Sequence, residues 1–126
     1  MIFEYTILST DENLPVVQRL SVGLRTSYGL EIRIRHSDHD KPEYTCHTSA
    51  LVRSSDAIWL ARQLGVGVSE LPHEICDFMS EIYGGIINPR PSDISDCFAD
   101  IIERLLDHGC HLRIERGHGA RGFICA

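Results

Sequence analysis

The chain of 126 residues reads as a single α+β domain over residues 1–126, a small, mainly antiparallel sheet with about four helices packed on it in the order βαββαααββ. Three observations lead there. Short segments near both ends alternate apolar and polar residues, the period of two that a half-buried strand imposes. The longer segments between them repeat apolar residues every three or four positions, as an amphipathic helix does. The length suits one domain with a real core, and 43% hydrophobic and 24% charged residues are ordinary for a globular protein.

Each element has its own justification. IFEYTIL (2–8) alternates Phe3, Tyr5 and Ile7 with Glu4 and Thr6, a strand pattern. A helix is expected from about 14 to 27, with Asn13 as its cap, Pro15 in its first turn and Gly29 closing it. LEIRIR (30–35) is the cleanest strand, with Leu30, Ile32 and Ile34 inward and Glu31, Arg33 and Arg35 outward. The polar stretch 36–43 is a turn, and YTCHTSALV (44–52) a further strand. Ser55 caps a short helix over 56–64 that ends near Gly65, with Trp59 as its core anchor. Two more helices span 70–83 and 93–108, with Gly109 placed to end the second. HLRIER (111–116) alternates again, and RGFIC (121–125) is its expected hairpin partner across a Gly-rich turn bearing Arg116, His118 and Arg121.

Whole classes of function fall away early. No apolar run approaches the roughly 20 residues that span a bilayer, and no membrane partner is expected. The start, MIFEYTILSTDENL, lacks the basic opening of a signal peptide, so the expected location is cytoplasmic, whether in a bacterium or in a host cell. Five cysteines without a CxxC pair fit reduced, mostly buried thiols. Neither His36, His39, Cys46 and His47 nor His108, Cys110 and His111 has a zinc-ligand spacing. No metal, cofactor or catalytic residue is therefore assigned.

The distribution of charge is more informative than its net value of −6. Residues 1–63 hold seven Lys/Arg against eight Asp/Glu, whereas 64–126 hold five against ten. Between Glu70 and Asp107 nine acids face only Arg90 and Arg104. At about 100° per residue, Glu70, Glu74, Asp77 and Glu81 fall within roughly 60° on the first helix. Asp93, Asp96, Asp100, Glu103 and Asp107 fall within about 80° on the second. Surface stripes usually mix signs, because opposite charges at i, i+4 stabilise and like charges destabilise by a few tenths of a kcal/mol each. The seven like-charge spacings here amount to roughly 1–3 kcal/mol of unfavourable interaction before screening. A solvated face is the bland explanation, and a binding surface the sharper one.

Residues 57–75, AIWLARQLGVGVSELPHEI, resemble a helix-turn-helix, with Ala61, Leu64, Gly65, Val66 and Leu71 at packing and turn positions. That resemblance implies a DNA-binding protein, but Glu70, Glu74, Asp77 and Glu81 on its recognition helix would meet phosphate and repel it. RQLGVGVSEL (62–71) resembles the RxxGxGxxL pyrophosphate loop of acetyltransferases, through Arg62, Gly65 and Gly67, which implies an acetyl-CoA-dependent enzyme. The paired acidic ladders share the charge design of nuclease-immunity proteins and of phage inhibitors that mimic DNA. Carboxylates at i, i+3 and i+4 advance about 5 Å along a helix, a spacing comparable with that of nucleic-acid phosphates. The leading expectation is a small acidic protein-binding module or inhibitor. It would occlude a basic nucleic-acid-handling partner, such as a nuclease, a toxin or a nucleic-acid-binding complex, and bind no nucleic acid itself. Its contact residues would be Glu70, Glu74, Asp77, Glu81, Asp93, Asp96, Asp100, Glu103 and Asp107.

Overall fold

The structure, a computed structural model, describes residues 1–117. Five strands form one antiparallel sheet in sequential order: β1 (Ile2–Ser9), β2 (Val16–Leu24), β3 (Leu30–Asp38), β4 (Cys46–Val52) and β5 (Leu112–Gly117). Three helices, α1 (Ser54–Leu64), α2 (Leu71–Tyr83) and α3 (Pro91–Asp107), are inserted between β4 and β5. The chain leaves the sheet at Val52 and returns at Leu112, and those two residues are cross-strand partners. The class is α+β, as expected, with three helices where four were expected. The strand expected at 121–125 lies outside the described residues.

The expected helix over 14–27 is instead strand β2. Leu14, Val17, Leu20 and Leu24 mimic helical spacing, but the β-branched Val16, Val17 and Val22 suit a pleated strand better. The alternation was obscured because the strand is buried on both faces from Leu20 to Leu24. Leu20, Val22 and Leu24 face the helices. Ser21 and Gly23 face the other way, and at Gly23 the Met1 sulfur lies 2.5 Å from where a Cβ would stand. Asn13 caps nothing: its N–H donates to Asp11 Oδ1 at 2.9 Å in the β1–β2 turn. Gly29 ends a hairpin loop in which Arg25 N–H donates to Gly29 O at 2.8 Å.

Register places the core. Leu8, Leu20 and Ile34 form one cross-strand row, Val22, Ile32 and Ala50 a second, and Leu24, Leu30 and Val52 a third. All are buried in one cluster with Ala57, Leu60 and Ala61 of α1, Leu71 and Met79 of α2, and Ile94, Cys97, Ile101 and Leu105 of α3. Helix α2 lies over β1 and β2, and α3 over β2 and β3. The helices thus cover one face of the sheet, and their outer sides form one surface of the molecule. Trp59, expected in the core, is 45% exposed, because α1 packs through Ala57, Leu60 and Ala61 instead. Among the described residues no helix is long and apolar enough to cross a membrane.

The opposite sheet face is polar but not simply solvated. Alternation along β3 puts Glu31, Arg33 and Arg35 there, and the rows extend to Ser21 and Arg19 on β2 and to Ser49 and His47 on β4. Glu31 is only 1% exposed. It accepts hydrogen bonds from Ser49 Oγ at 2.6 Å, Arg33 Nη2 at 2.8 Å and Arg25 Nε at 3.1 Å. Arg25 Nη2 in turn reaches Glu115 on β5 at 3.0 Å. Burial opposes ionisation of Glu31 more than any single neighbour favours it. The Ser49 hydroxyl and the two guanidiniums together prevail and hold its pKa below the ordinary carboxylate value.

Candidate functional site

The acidic ladders lie on the outer side of the helical layer. Glu70 ends a short 3-10 turn at Val68–Glu70 that leads into α2. Glu74, Asp77 and Glu81 follow on α2, and all four are exposed, because the buried side of this helix is Leu71, Pro72 and Met79. On α3 the buried residues Ile94, Cys97, Ile101 and Leu105 leave Asp96, Glu103 and Asp107 exposed. Among the described residues, Glu70, Glu74, Glu81, Asp96, Glu103 and Asp107 make no ion pair. Asp77 meets only His73, one turn earlier, at 3.5 Å.

Two of the nine expected contact residues have internal duties instead. Asp93 accepts the backbone N–H of Arg90 at 2.8 Å and so caps the start of α3. Asp100 accepts Arg104 Nε at 2.7 Å and the Tyr83 hydroxyl at 3.1 Å, which ties α2 to α3. Burial, with the adjacent Asp100 carboxylate, pushes the Tyr83 phenol up to about 12, so it remains a donor throughout the physiological range. The continuous ladder on α3 is therefore reduced to Asp96, Glu103 and Asp107.

Sequence reasoning missed an apolar element beside these acids. A groove of about 260 Å³ lies between the three helices, with Leu60 and Leu64 of α1, Ile75 and Phe78 of α2 and Leu105 of α3 among its walls. Glu74 lines it from α2, and Arg104 and His108 from the end of α3. The Arg104 guanidinium sits 4.8 Å from the centre of the Phe78 ring, a cation–π contact that fixes the wall. Phe78 and Leu64 remain nearly half exposed. The available signal was the breadth of the apolar stripe on α2, wider than one packing contact uses. Apolar side chains next to unpaired carboxylates suit a partner that is both basic and partly hydrophobic.

The geometry also bears on the two local resemblances. The turn between α1 and α2 carries a helix-ending motif: Gly65 is left-handed at φ 73°, its N–H donates to Arg62 O at 3.1 Å, and Val66 N–H donates to Ala61 O at 2.9 Å. These amides are spent on the end of α1, as is Glu70 N–H on Gly67 O. Glu70 Oε1 lies 3.3 Å from where a Cβ on Gly67 would stand, so a carboxylate covers the loop that a pyrophosphate would need. The helix that would read DNA, α2, turns its carboxylates to solvent. Among the described residues no cluster of three His, Cys, Asp or Glu is placed to hold a metal ion.

None of the protein-family models, curated proteins or solved structures compared with the chain matches it.

Proposed function

We propose that the helical layer is a docking surface for a basic protein partner, and that the protein acts as a binding module or inhibitor that occludes a nucleic-acid-handling surface. The observation that carries this reading is charge segregation. Six carboxylates on α2 and α3 and in the turn between α1 and α2 lack any ion-pair partner among the described residues. Meanwhile Arg19, Arg25, Arg33 and Arg113 on the sheet side are each paired with a carboxylate. A chain seeking only stability would place some of those cations among the acids, since mixed pairs at helical spacing stabilise. Carboxylates left unpaired at solvent are instead available for charge-assisted bonds to Arg and Lys, and they favour fast, salt-sensitive association. The groove at Phe78 and Leu64 supplies the apolar contact that would hold the encounter complex.

Charge reversal tests the proposal. Glu74→Lys, Asp77→Lys, Glu81→Lys and Glu103→Lys change side chains that the fold does not use, and Asp93 and Asp100 are spared because it does use them. A partner retained by the parent protein in low salt should be lost by the fourfold variant, and duplex DNA should displace it from the parent. A partner that binds both proteins alike and ignores DNA would end this reading.

A further inference from the structure

The end of the sheet where α1 begins carries a cavity of opposite character, about 390 Å³ in volume. Arg25, Arg53, Arg113 and His111 line it, with the hydroxyl residues Ser27 and Ser54, and among the described residues no carboxylate lines it. We propose that this cavity binds the phosphate group of a small phosphate monoester.

The carboxylates near it stand behind the arginines and orient them. Arg25 gives Nε to Glu31 at 3.1 Å and Nη2 to Glu115 at 3.0 Å. Arg53 gives Nε to Asp56 at 3.3 Å, and its Nη2 lies 3.1 Å from His111 Nδ1, a ring nitrogen equally close to Asp56 Oδ2. Arg113 gives Nη2 to Glu115 at 3.5 Å. Among the described residues none of these three arginines commits its Nη1, so each retains a pair of N–H donors. Arg25, held at two points, loses little further freedom on binding, as preorganised oxyanion recognition requires, and the more exposed Arg53 and Arg113 add charge beside it. Counting the second partner of Glu31, Arg33, the local network holds four guanidiniums against Glu31, Asp56 and Glu115. It is net positive within a chain of net charge −6.

The backbone adds to the same field. Helix α1 starts at Ser54 with Arg53 in the cap position and no side-chain cap, so its first-turn amides and the positive end of its dipole meet the cavity wall that Arg53 and Ser54 form. Leu51, on the same sheet face as Arg113, supplies an apolar patch on which the uncharged body of a monoester can rest. A cavity of this volume admits a phosphate with a small organic substituent. The site lies across the sheet from the acidic helices, and its ligand is independent of their partner.

Calorimetric titration of the whole chain with inorganic phosphate and with ribose 5-phosphate, against sodium chloride at matched ionic strength, tests the proposal. Both phosphates should bind at one site, and the monoester more tightly. Arg53→Gln and Arg113→Gln, whose side chains are 63% and 74% exposed and so should leave the fold intact, should each weaken binding about tenfold, the cost of one charge-assisted hydrogen bond. Arg35→Gln, on the same sheet face but outside the cavity, should leave it unchanged. Absence of phosphate binding, or equal weakening by Arg35→Gln, would overturn the assignment. So would tighter binding of a short single-stranded oligonucleotide than of the monoester.

Discussion

Replacing Glu31 by Gln removes one charge from a side chain that is 1% exposed and changes almost nothing in shape. The carboxylate accepts from Ser49 Oγ at 2.6 Å, Arg33 Nη2 at 2.8 Å, Arg33 Nε at 2.9 Å and Arg25 Nε at 3.1 Å. A glutamine amide would place an NH2 group where one of those donors now points. Removing one partner of a buried ion pair costs about 3–5 kcal/mol. The lower end applies here, because the Arg25 and Arg33 side chains are 36% and 24% exposed and Arg25 keeps Glu115. A loss of about 3 kcal/mol lowers the melting temperature of a domain of this length by about 10 °C. Thermal unfolding followed by circular dichroism at pH 7 measures it. The acid limb checks the cause. A folded-state pKa below the unfolded one contributes stability that is fully present above the unfolded value of about 4.3 and is lost as pH falls through the folded value. The gap between parent and Glu31→Gln should therefore narrow steadily below about pH 4. A variant melting within about 2 °C of the parent at pH 7, or a gap that persists unchanged to pH 3, would refute the reasoning.

Two further outcomes follow from the helical layer. Asp77→Lys turns two like-charge spacings, to Glu74 and Glu81, into opposite-charge ones, and should stabilise by about 1 kcal/mol in low salt. That gain should shrink in 0.5 M sodium chloride, where the Debye length is about 4 Å, and a gain indifferent to salt would mean that the ladder is not under electrostatic strain. Cys97 is fully buried, and burial, assisted by the nearby Asp100 charge, pushes its thiol up to about 12. It should stay unmodified by a disulfide reagent at pH 8 until denaturant unfolds the protein, as peptide mass mapping would show, and rapid modification of the native chain would contradict its placement in the core.

Much of this molecule is determined locally. Helices α2 and α3 fall within a residue or two of their expected limits, because their apolar stripes are long and periodic and a helix needs only its own neighbours to be recognised. The alternation in β3 likewise sorts Leu30, Ile32 and Ile34 from Glu31, Arg33 and Arg35 without outside help. The exposure of Glu70, Glu74, Asp77 and Glu81 is also a local property, since the opposite side of α2 already carries the residues that must be buried.

What sequence could not decide depends on neighbours distant along the chain. Residues 16–24 have spacings compatible with helix or strand, and pairing with both β1 and β3 settles the matter by giving both backbone edges a partner strand. Outward-facing Glu31 becomes a buried ion-pair centre only because β2–β3 and β3–β4 pairing bring Arg25 and Ser49 alongside. Asp100 looks like a rung of a ladder until the α2–α3 arrangement gives it the Tyr83 hydroxyl to hold, whereas the cap that Asp93 makes to Arg90 N–H is local, three residues away. Arg25, Arg53 and Arg113 come from three separate stretches and meet because β5 returns beside β4 after the helical excursion. Periodicity reports which side of an element is apolar. Which charges end up sharing a wall is set by long-range pairing, and only the folded chain brings them together.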